Sequence, residues 1–354
     1  MPGAIVVGSG FGCRVHVPAL RAAGFDVRAL VGRDEERTRR RAERAGIPHA
    51  CTTIAGALAA ANVDAITIAT PPDTHALLTI EACESGRAVL CEKPFALNAT
   101  EAEAMLDAAE RAGVTNLVGH EFRWAPERAL VTRAIAEGLI GEPRMFSLVS
   151  YVPLVSDPEA RMPVWWFDAA RGGGWLGASG SHVIDQIRTW LGQIASLTAD
   201  LPTVSARTGV AEDSLVVRVV MCGGARGVIQ QTAASWTPTP TGLAIVAGTD
   251  GTIEIVGDNV YLSDRDGRRP LPVSADLVLP PPPTASADAR ERYTHLELGP
   301  YTRLCEALLA GIEQRSQPTA VALPTFADGV AEMRVMDAIR KSAAAGGAVV
   351  ELTG

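Results

Sequence analysis

The sequence predicts an α/β protein in two parts. Residues 1–124 read as a doubly wound parallel sheet, and residues 125–354 as an α/β domain on a large open, mostly antiparallel sheet. Three observations predict this. Strand and helix patterns alternate through the first third. A glycine-rich turn, "VVGSGFG", separates the first strand from the first helix. Beyond Gly141 the pattern changes to alternating or apolar runs divided by short turn signals.

Each element follows in order. "AIVVGSG" is a short β-branched strand, and "HVPALRAAG" is a helix closed at Gly24. "DVRALVGR" is a second strand, "EERTRRRAERAG" a charged helix, "DAITIATPP" a third clear strand and "DTHALLTIEACESG" a helix. "RAVLCEKP" is a strand, "NATEAEAMLDAAERAG" a helix with Thr100 as its N-cap, and "TNLVGHEFRW" another strand. Strands joined by helices of this length imply right-handed crossovers and parallel pairing. Later, "EPRMFSLVSYVPL", "SLVVRVVM", "GVIQQTAASW", "GLAIVAG", "GTIEIVG" and "NVYLSD" read as strands, with turns at "GTDGT" and "RDGRR". "LPPPPTASADARER" (Leu279 to Arg292) is expected to be a surface loop. Helical patterns at "YTRLCEALLAGIEQ" and "TFADGVAEMRVMDAIRKSAAAGG" close the chain.

Composition narrows the function. With 354 residues, 47% hydrophobic and 20% charged, the chain is long enough for two cores. A net charge of −8 offers no basic field for nucleic acid or anionic lipid. No apolar run is long enough to span a bilayer, and no positive n-region precedes the first strand. The six cysteines have no CxxC spacing, so neither a zinc site nor a disulfide framework is implied. A cytoplasmic enzyme with free thiols and no metal is expected.

The glycine-rich turn is the first chemical motif. Gly8 and Gly10 match the first two glycines of G-x-G-x-x-G; Cys13 takes the third place, beside Gly12 and after Phe11. In a Rossmann domain the first glycine makes the turn, and the second lets a pyrophosphate approach the helix N-terminus. At the end of the second strand, an Asp or Glu reads the ribose of NAD. Here Gly32 occupies that place, followed by Arg33 and Arg37, which suit a 2′-phosphate. NADP is therefore the preferred cofactor, with NAD the alternative if Asp34 is the ribose reader.

"CEKP" places Glu92, Lys93 and Pro94 at the C-terminal end of a strand, where open α/β sheets bind ligands. A partly desolvated lysine there has an amine suited to exchanging a proton with a substrate oxygen. The alternative is a surface lysine in a salt bridge. The third motif, "GGGWLGASGSHVIDQIRTWLG" (Gly172 to Gly192), puts His182 at the mouth of an amphipathic helix, with Asp185 three residues on. From spacing alone, a histidine that merely caps or packs its helix is the commoner reading.

"GSGFGCRVH", "TPPDTHALLTIEACESGRAVLCEKP" and "GGGWLGASGSHVID", in this order, resemble the glucose–fructose oxidoreductase/inositol dehydrogenase (Gfo/Idh/MocA) family over essentially the whole chain. The resemblance implies a Rossmann domain, then an α/β domain whose open sheet commonly forms an oligomer interface, as a dimer or tetramer. It implies NAD(P)-linked hydride transfer at a carbinol of a sugar, polyol or related molecule, with Lys93 and His182 as acid and base. Thr70, Pro71, His75 and Arg123 match family positions near the cofactor, and His16 also fits the pattern; Trp166 and Asp185 are candidate substrate contacts. Each has a structural alternative: packing for His16 and His75, a salt bridge for Arg123, core for Trp166. One departure stands out. The family often has Asp four residues before the histidine, and this chain has Ala178. Ser179, Ser181 or Asp185 are the candidate substitutes. A dinucleotide-binding protein without dehydrogenase activity, or a reductase of a non-sugar acceptor, remains the alternative.

Overall fold

A computed structural model describes residues 1–279, 294–316 and 321–352. The chain opens with β1 (Gly3–Val7), α1 (Val17–Ala22), β2 (Asp26–Val31), α2 (Glu35–Ala45), β3 (His49–Cys51), α3 (Ile54–Ala60) and β4 (Ala65–Ile68). It continues with α4 (His75–Glu84), β5 (Ala88–Cys91), α5 (Ala99–Ala112), β6 (Asn116–Val118) and α6 (Pro126–Ala136). Next come β7 (Pro143–Tyr151), α7 (Ser181–Leu191), β8 (Ile194–Asp200), β9 (Ser214–Met221) and β10 (Arg226–Thr232). Then follow β11 (Thr241–Gly248), β12 (Thr252–Val256), β13 (Asn259–Asp264), β14 (Gly267–Leu271), α8 (Thr294–Ile312), α9 (Phe326–Ala344) and β15 (Val350–Glu351). The proline-rich stretch expected as a surface loop lies, from residue 280 on, outside the described residues. Contacts divide the chain into Met1–Ala125 with Leu279–Val330, and Pro126–Val278 with Ala331–Gly354.

In the first unit, six parallel strands run in the order β3-β2-β1-β4-β5-β6. The alternating pattern predicts a doubly wound parallel sheet, and the observed order is that of a Rossmann domain, as the resemblance implies. β1, β4 and β5 are buried at every residue, which explains their unbroken apolar runs. Strand order reverses between β1 and β4, so the segments after β1, β4 and β5 leave at the C-terminal edge, where such sheets bind ligands. α2 begins at Asp34, whose carboxylate accepts the Arg37 N–H at 2.8 Å. The N-cap of α5 is Asn98, not Thr100: Asn98 has extended backbone and its side chain accepts the Glu101 N–H at 2.9 Å. The cap belongs to the last residue outside helical geometry, and Thr100 already lies inside. α8 also belongs to this unit. Its Tyr301, Leu304, Cys305 and Leu308 pack into the core formed by Val6, Leu20, Phe25 and Leu30.

In the second unit, nine strands run in the order β14-β13-β12-β11-β7-β10-β9-β8-β15. Neighbours are antiparallel except β7 and β10, which the chain joins through a long excursion carrying α7, β8 and β9 rather than a turn. Burial alternates along β9 and β10, so one face is covered and the other open. β14 carries Pro270 and pairs only with β13; an edge strand tolerates the missing donor. The "RDGRR" turn therefore runs on into a strand. β3, β8, β14 and β15 are short or weakly patterned and have no counterpart in the expected strands.

Candidate functional site

Gly8 leaves β1 with φ +111°, and a Cβ there would stand 2.3 Å from the Ala69 carbonyl oxygen. A Cβ on Gly12 would stand 2.6 Å from Val6 Cγ1. These two glycines are demanded by the protein's own packing. Gly10 is different: it is exposed, with nothing within 4 Å of the place a Cβ would take. Open space thus lies over the turn at the end of β1, where helical geometry begins at Phe11 and Gly12–His16 wind as a wider π turn. That is the surface a pyrophosphate requires. Cys13 is half-buried, and burial pushes its thiol up.

At the end of β2, a side chain on Gly32 would meet Thr38 Oγ1 at 2.5 Å. Arg33 and Arg37 are exposed, and the Asp34 carboxylate is engaged as the α2 cap. One α2 turn past Arg37, Arg41 bonds the Ser9 carbonyl at 2.5 Å and the Ser9 hydroxyl at 3.0 Å. Arg41 therefore reaches the glycine turn itself. Only its i, i+4 spacing from Arg37 could have signalled this.

Two loops border the turn. The Thr74 hydroxyl donates to the Pro71 carbonyl at 2.8 Å and lies 2.7 Å from the Thr70 hydroxyl, from which it can accept. His75 is fully buried, with Nδ1 3.0 Å from the Pro94 oxygen and Nε2 2.9 Å from the Thr70 oxygen. Burial pulls its pKa down, against these backbone bonds and the Glu92 charge. His75 thus braces the loop after β4 against the loop after β5.

Lys93 follows β5 and is half-buried. Its own N–H donates to Glu92 Oε2 at 3.2 Å. Glu92 is buried, and its Oε1 accepts from Tyr301 at 2.6 Å and lies 3.1 Å from His16 Nε2. Burial opposes ionisation of Glu92, but these bonds and the Lys93 charge hold its carboxyl below the usual range. Two more carboxyls act on Lys93. Burial pushes Glu121 up to about 8, with the Glu92 charge adding and Lys93 opposing. Burial likewise pushes Glu297 up to about 7, against Lys93 and Arg14. Sequence reasoning missed Glu121, Glu297 and Tyr301. Arg123 is tied to the Ala322 carbonyl at 3.2 Å and pairs with Asp328 at 3.3 Å.

In the second unit, helical geometry runs from Trp175 to Leu191, with Leu176–Gly180 as a π turn leading into α7. His182 lies in the first turn of α7, and both it and Asp185 are buried. A Cβ on Gly174 would stand 2.2 Å from Glu212 Oε1, which accepts the Leu176 N–H at 3.1 Å. Around Ala178, Ser181 is committed to the Gly177 carbonyl at 2.8 Å, and Ser179 donates to Gln231 at 3.3 Å. Trp166 is buried against Phe167 and Trp175. Among the described residues, no group of His, Cys, Asp or Glu is arranged to hold a metal ion.

Residues 3–120 match the model of an oxidoreductase family with an NAD-binding Rossmann fold, and residues 129–258 match the GFO/IDH/MocA C-terminal domain. The chain belongs to the Gfo/Idh/MocA family of oxidoreductases. A D-apiose dehydrogenase of Paraburkholderia graminis is 31% identical over 295 residues, covering 80% of this chain and 73% of that protein. A 1,5-anhydro-D-fructose reductase of Ensifer adhaerens is 29% identical over 349 residues, covering 96% and 95%. The fold matches a levoglucosan dehydrogenase solved with NADH and L-sorbose: TM-score 0.84, 23% identity, 99% of each chain. The Gfo/Idh/MocA fold thus accounts for both sheets, and this member is an oxidoreductase with an NAD-binding Rossmann domain. No helix among the described residues is long and apolar enough to cross a membrane.

Proposed function

We propose that this Gfo/Idh/MocA oxidoreductase moves a hydride between a nicotinamide dinucleotide and a carbinol or carbonyl carbon of a sugar or polyol, with Lys93 and His182 as acid and base. The observation that carries it is Lys93 itself. The chain has 32 basic residues, of which only Lys93 and Lys341 are lysines. A chain that uses arginine almost everywhere has a lysine at the C-terminal edge of its parallel sheet, amid three carboxyls. An ammonium gives up a proton where a guanidinium does not. The Glu92 carboxylate would stabilise Lys93 as an acid for the reductive direction, with Glu297 and Glu121 adding charge as they ionise near about 7 and about 8. His182, on a helix fixed by Gly180 against Leu215, would take or return the hydroxyl proton.

The turn at Gly8, Gly10, Phe11, Gly12 and Cys13 would hold the dinucleotide pyrophosphate, bordered by Thr70 and Pro71. The bound nicotinamide would supply the hydride chemistry. We favour NADP. The β2 end has no room for an acid at Gly32, Asp34 holds one carboxylate oxygen as the α2 cap, and Arg33, Arg37 and Arg41 supply positive charge for a 2′-phosphate. The names of the two curated relatives, one a sugar dehydrogenase and one a sugar reductase, support the substrate class. We also favour a homo-oligomer built on the open sheet face.

Titration with NADPH and NADH, read by nicotinamide fluorescence, tests the cofactor reading, and a sugar and polyol panel with the preferred cofactor follows. Tighter NADPH binding and turnover of a panel member are expected. Equal or tighter NADH binding would refute the preference, and binding of neither would refute the dinucleotide site.

A further inference from the structure

A closed triangle of hydrogen bonds lies behind Lys93. Tyr301 Oη is 2.6 Å from Glu92 Oε1 and 2.7 Å from His16 Nε2, and His16 Nε2 is 3.1 Å from Glu92 Oε1. Tyr301 and His16 are fully buried. With its proton on Nε2, His16 donates into the pair while Tyr301 donates to the carboxylate, so one oxygen of Glu92 holds the arrangement together. The other oxygen accepts the Lys93 N–H. Phe11, next to the glycine turn, sets its ring edge-on to both His16 and Tyr301. The Gly119 backbone closes the remaining side, since a Cβ there would stand 2.8 Å from Glu92 Oε1.

A core position needs no such network. An apolar side chain would fill the place of Tyr301 without burying a phenol against a carboxylate, and buried ionised groups are costly unless fully bonded. The polar alternative is retained directly against the backbone of Lys93. α8 adds a second side chain to the same region. Glu297 precedes Tyr301 by four residues, which puts both on one helix face, and Glu297 acts on Lys93.

We propose that Tyr301 and His16 are positioning residues: by bonding one oxygen of Glu92 they fix its carboxylate beside Lys93, and so fix the charge that faces the Lys93 amine. The proposal deepens the reading of Lys93 as the acid and rests on it. The other titratable or charged groups facing this region are Glu121 from the turn after β6, Glu297 from α8, and Arg14 from the helical stretch after Gly12.

The two-lysine composition allows a direct test. Full-length protein labelled with ¹³C at lysine Cε gives two signals, and Lys341→Arg assigns them. Removing the Tyr301 hydroxyl weakens the hold on the Glu92 anion. The Lys93 signal of Tyr301→Phe is therefore expected to titrate about half a pH unit or more below wild type. Glu92→Gln should move it further in the same direction. Should Tyr301→Phe not fold, His16→Leu removes the other donor and carries the same expectation. A Lys93 signal that titrates at the wild-type pH while only thermal stability falls would show a purely structural tyrosine and overturn the proposal. Turnover separates this from the parent reading. If Lys93→Ala keeps its turnover, the acid role fails whatever the lysine signal does. If Lys93→Ala is inactive and the signal does not move, only the positioning role fails.

Discussion

Burial keeps a proton on Glu121 up to about pH 8, and the sign of the consequence is fixed by linkage. In the unfolded chain this carboxyl releases its proton near 4.5. Between about 4.5 and 8 the folded state therefore binds more protons than the unfolded state. The stability from this group is complete below 4.5 and is lost as pH rises toward 8. Glu297, pushed up to about 7, acts in the same direction over a narrower range. Glu121→Gln keeps the neutral shape without the titration, so its Tm should fall less than that of wild type between pH 5 and pH 8. Parallel Tm–pH curves for the two proteins would contradict the assignment. Residues named by a local motif were legible: Gly8, Gly10 and Lys93 each stand where a strand ends, and the sequence around them says so. Glu121, Glu297, Tyr301 and Arg41 were not, because their meaning comes from contact with residues far along the chain.

Caps decide element boundaries, and α5 shows how finely. Asn98 accepts the Glu101 N–H, and the Glu101 carboxylate in turn accepts the Leu97 N–H at 3.0 Å, which ties the entry of the helix from both sides. Asn98→Ala should cost about 1 kcal/mol of stability. Thr100→Ala, on an exposed first-turn position, should stay within about 0.5 kcal/mol of wild type. Chemical denaturation of the two variants checks the pair, and equal losses would reject Asn98 as the cap. Two helices, at "YTRLCEALLAGIEQ" and "VIDQIRTWL", were legible from apolar periodicity. That the first belongs with the parallel sheet was not, since periodicity identifies a buried face and not the core that buries it. β14 and β15 escaped for a related reason. An exposed edge strand such as "GRRPL" has no apolar alternation to show.

At the scale of the whole molecule, the second sheet leaves one face open. Val216, Gln230, Val149 and Leu243 lie side by side across β9, β10, β7 and β11. Val228 and Met145 extend the same face, and Met145 is 61% exposed. The homo-oligomer proposed above would seat a second copy of this chain on this largely apolar face, the occupant the family resemblance implies. Light scattering should find an oligomer in wild type and smaller species in Val228→Glu or Leu243→Glu; a monomeric wild type would reject the interface. The change from helix-linked to turn-linked strands made this second sheet visible in the sequence, but the parallel β7–β10 pair needs the long excursion to be followed in space. The central claim is that Lys93 supplies the proton that accompanies hydride transfer. Its most direct test is to compare wild type and Lys93→Ala for nicotinamide oxidation or reduction on a sugar that wild type turns over, with dinucleotide affinity measured alongside. The account predicts that the variant loses most turnover while binding the cofactor within a few-fold of wild type. Turnover at the wild-type rate would contradict it.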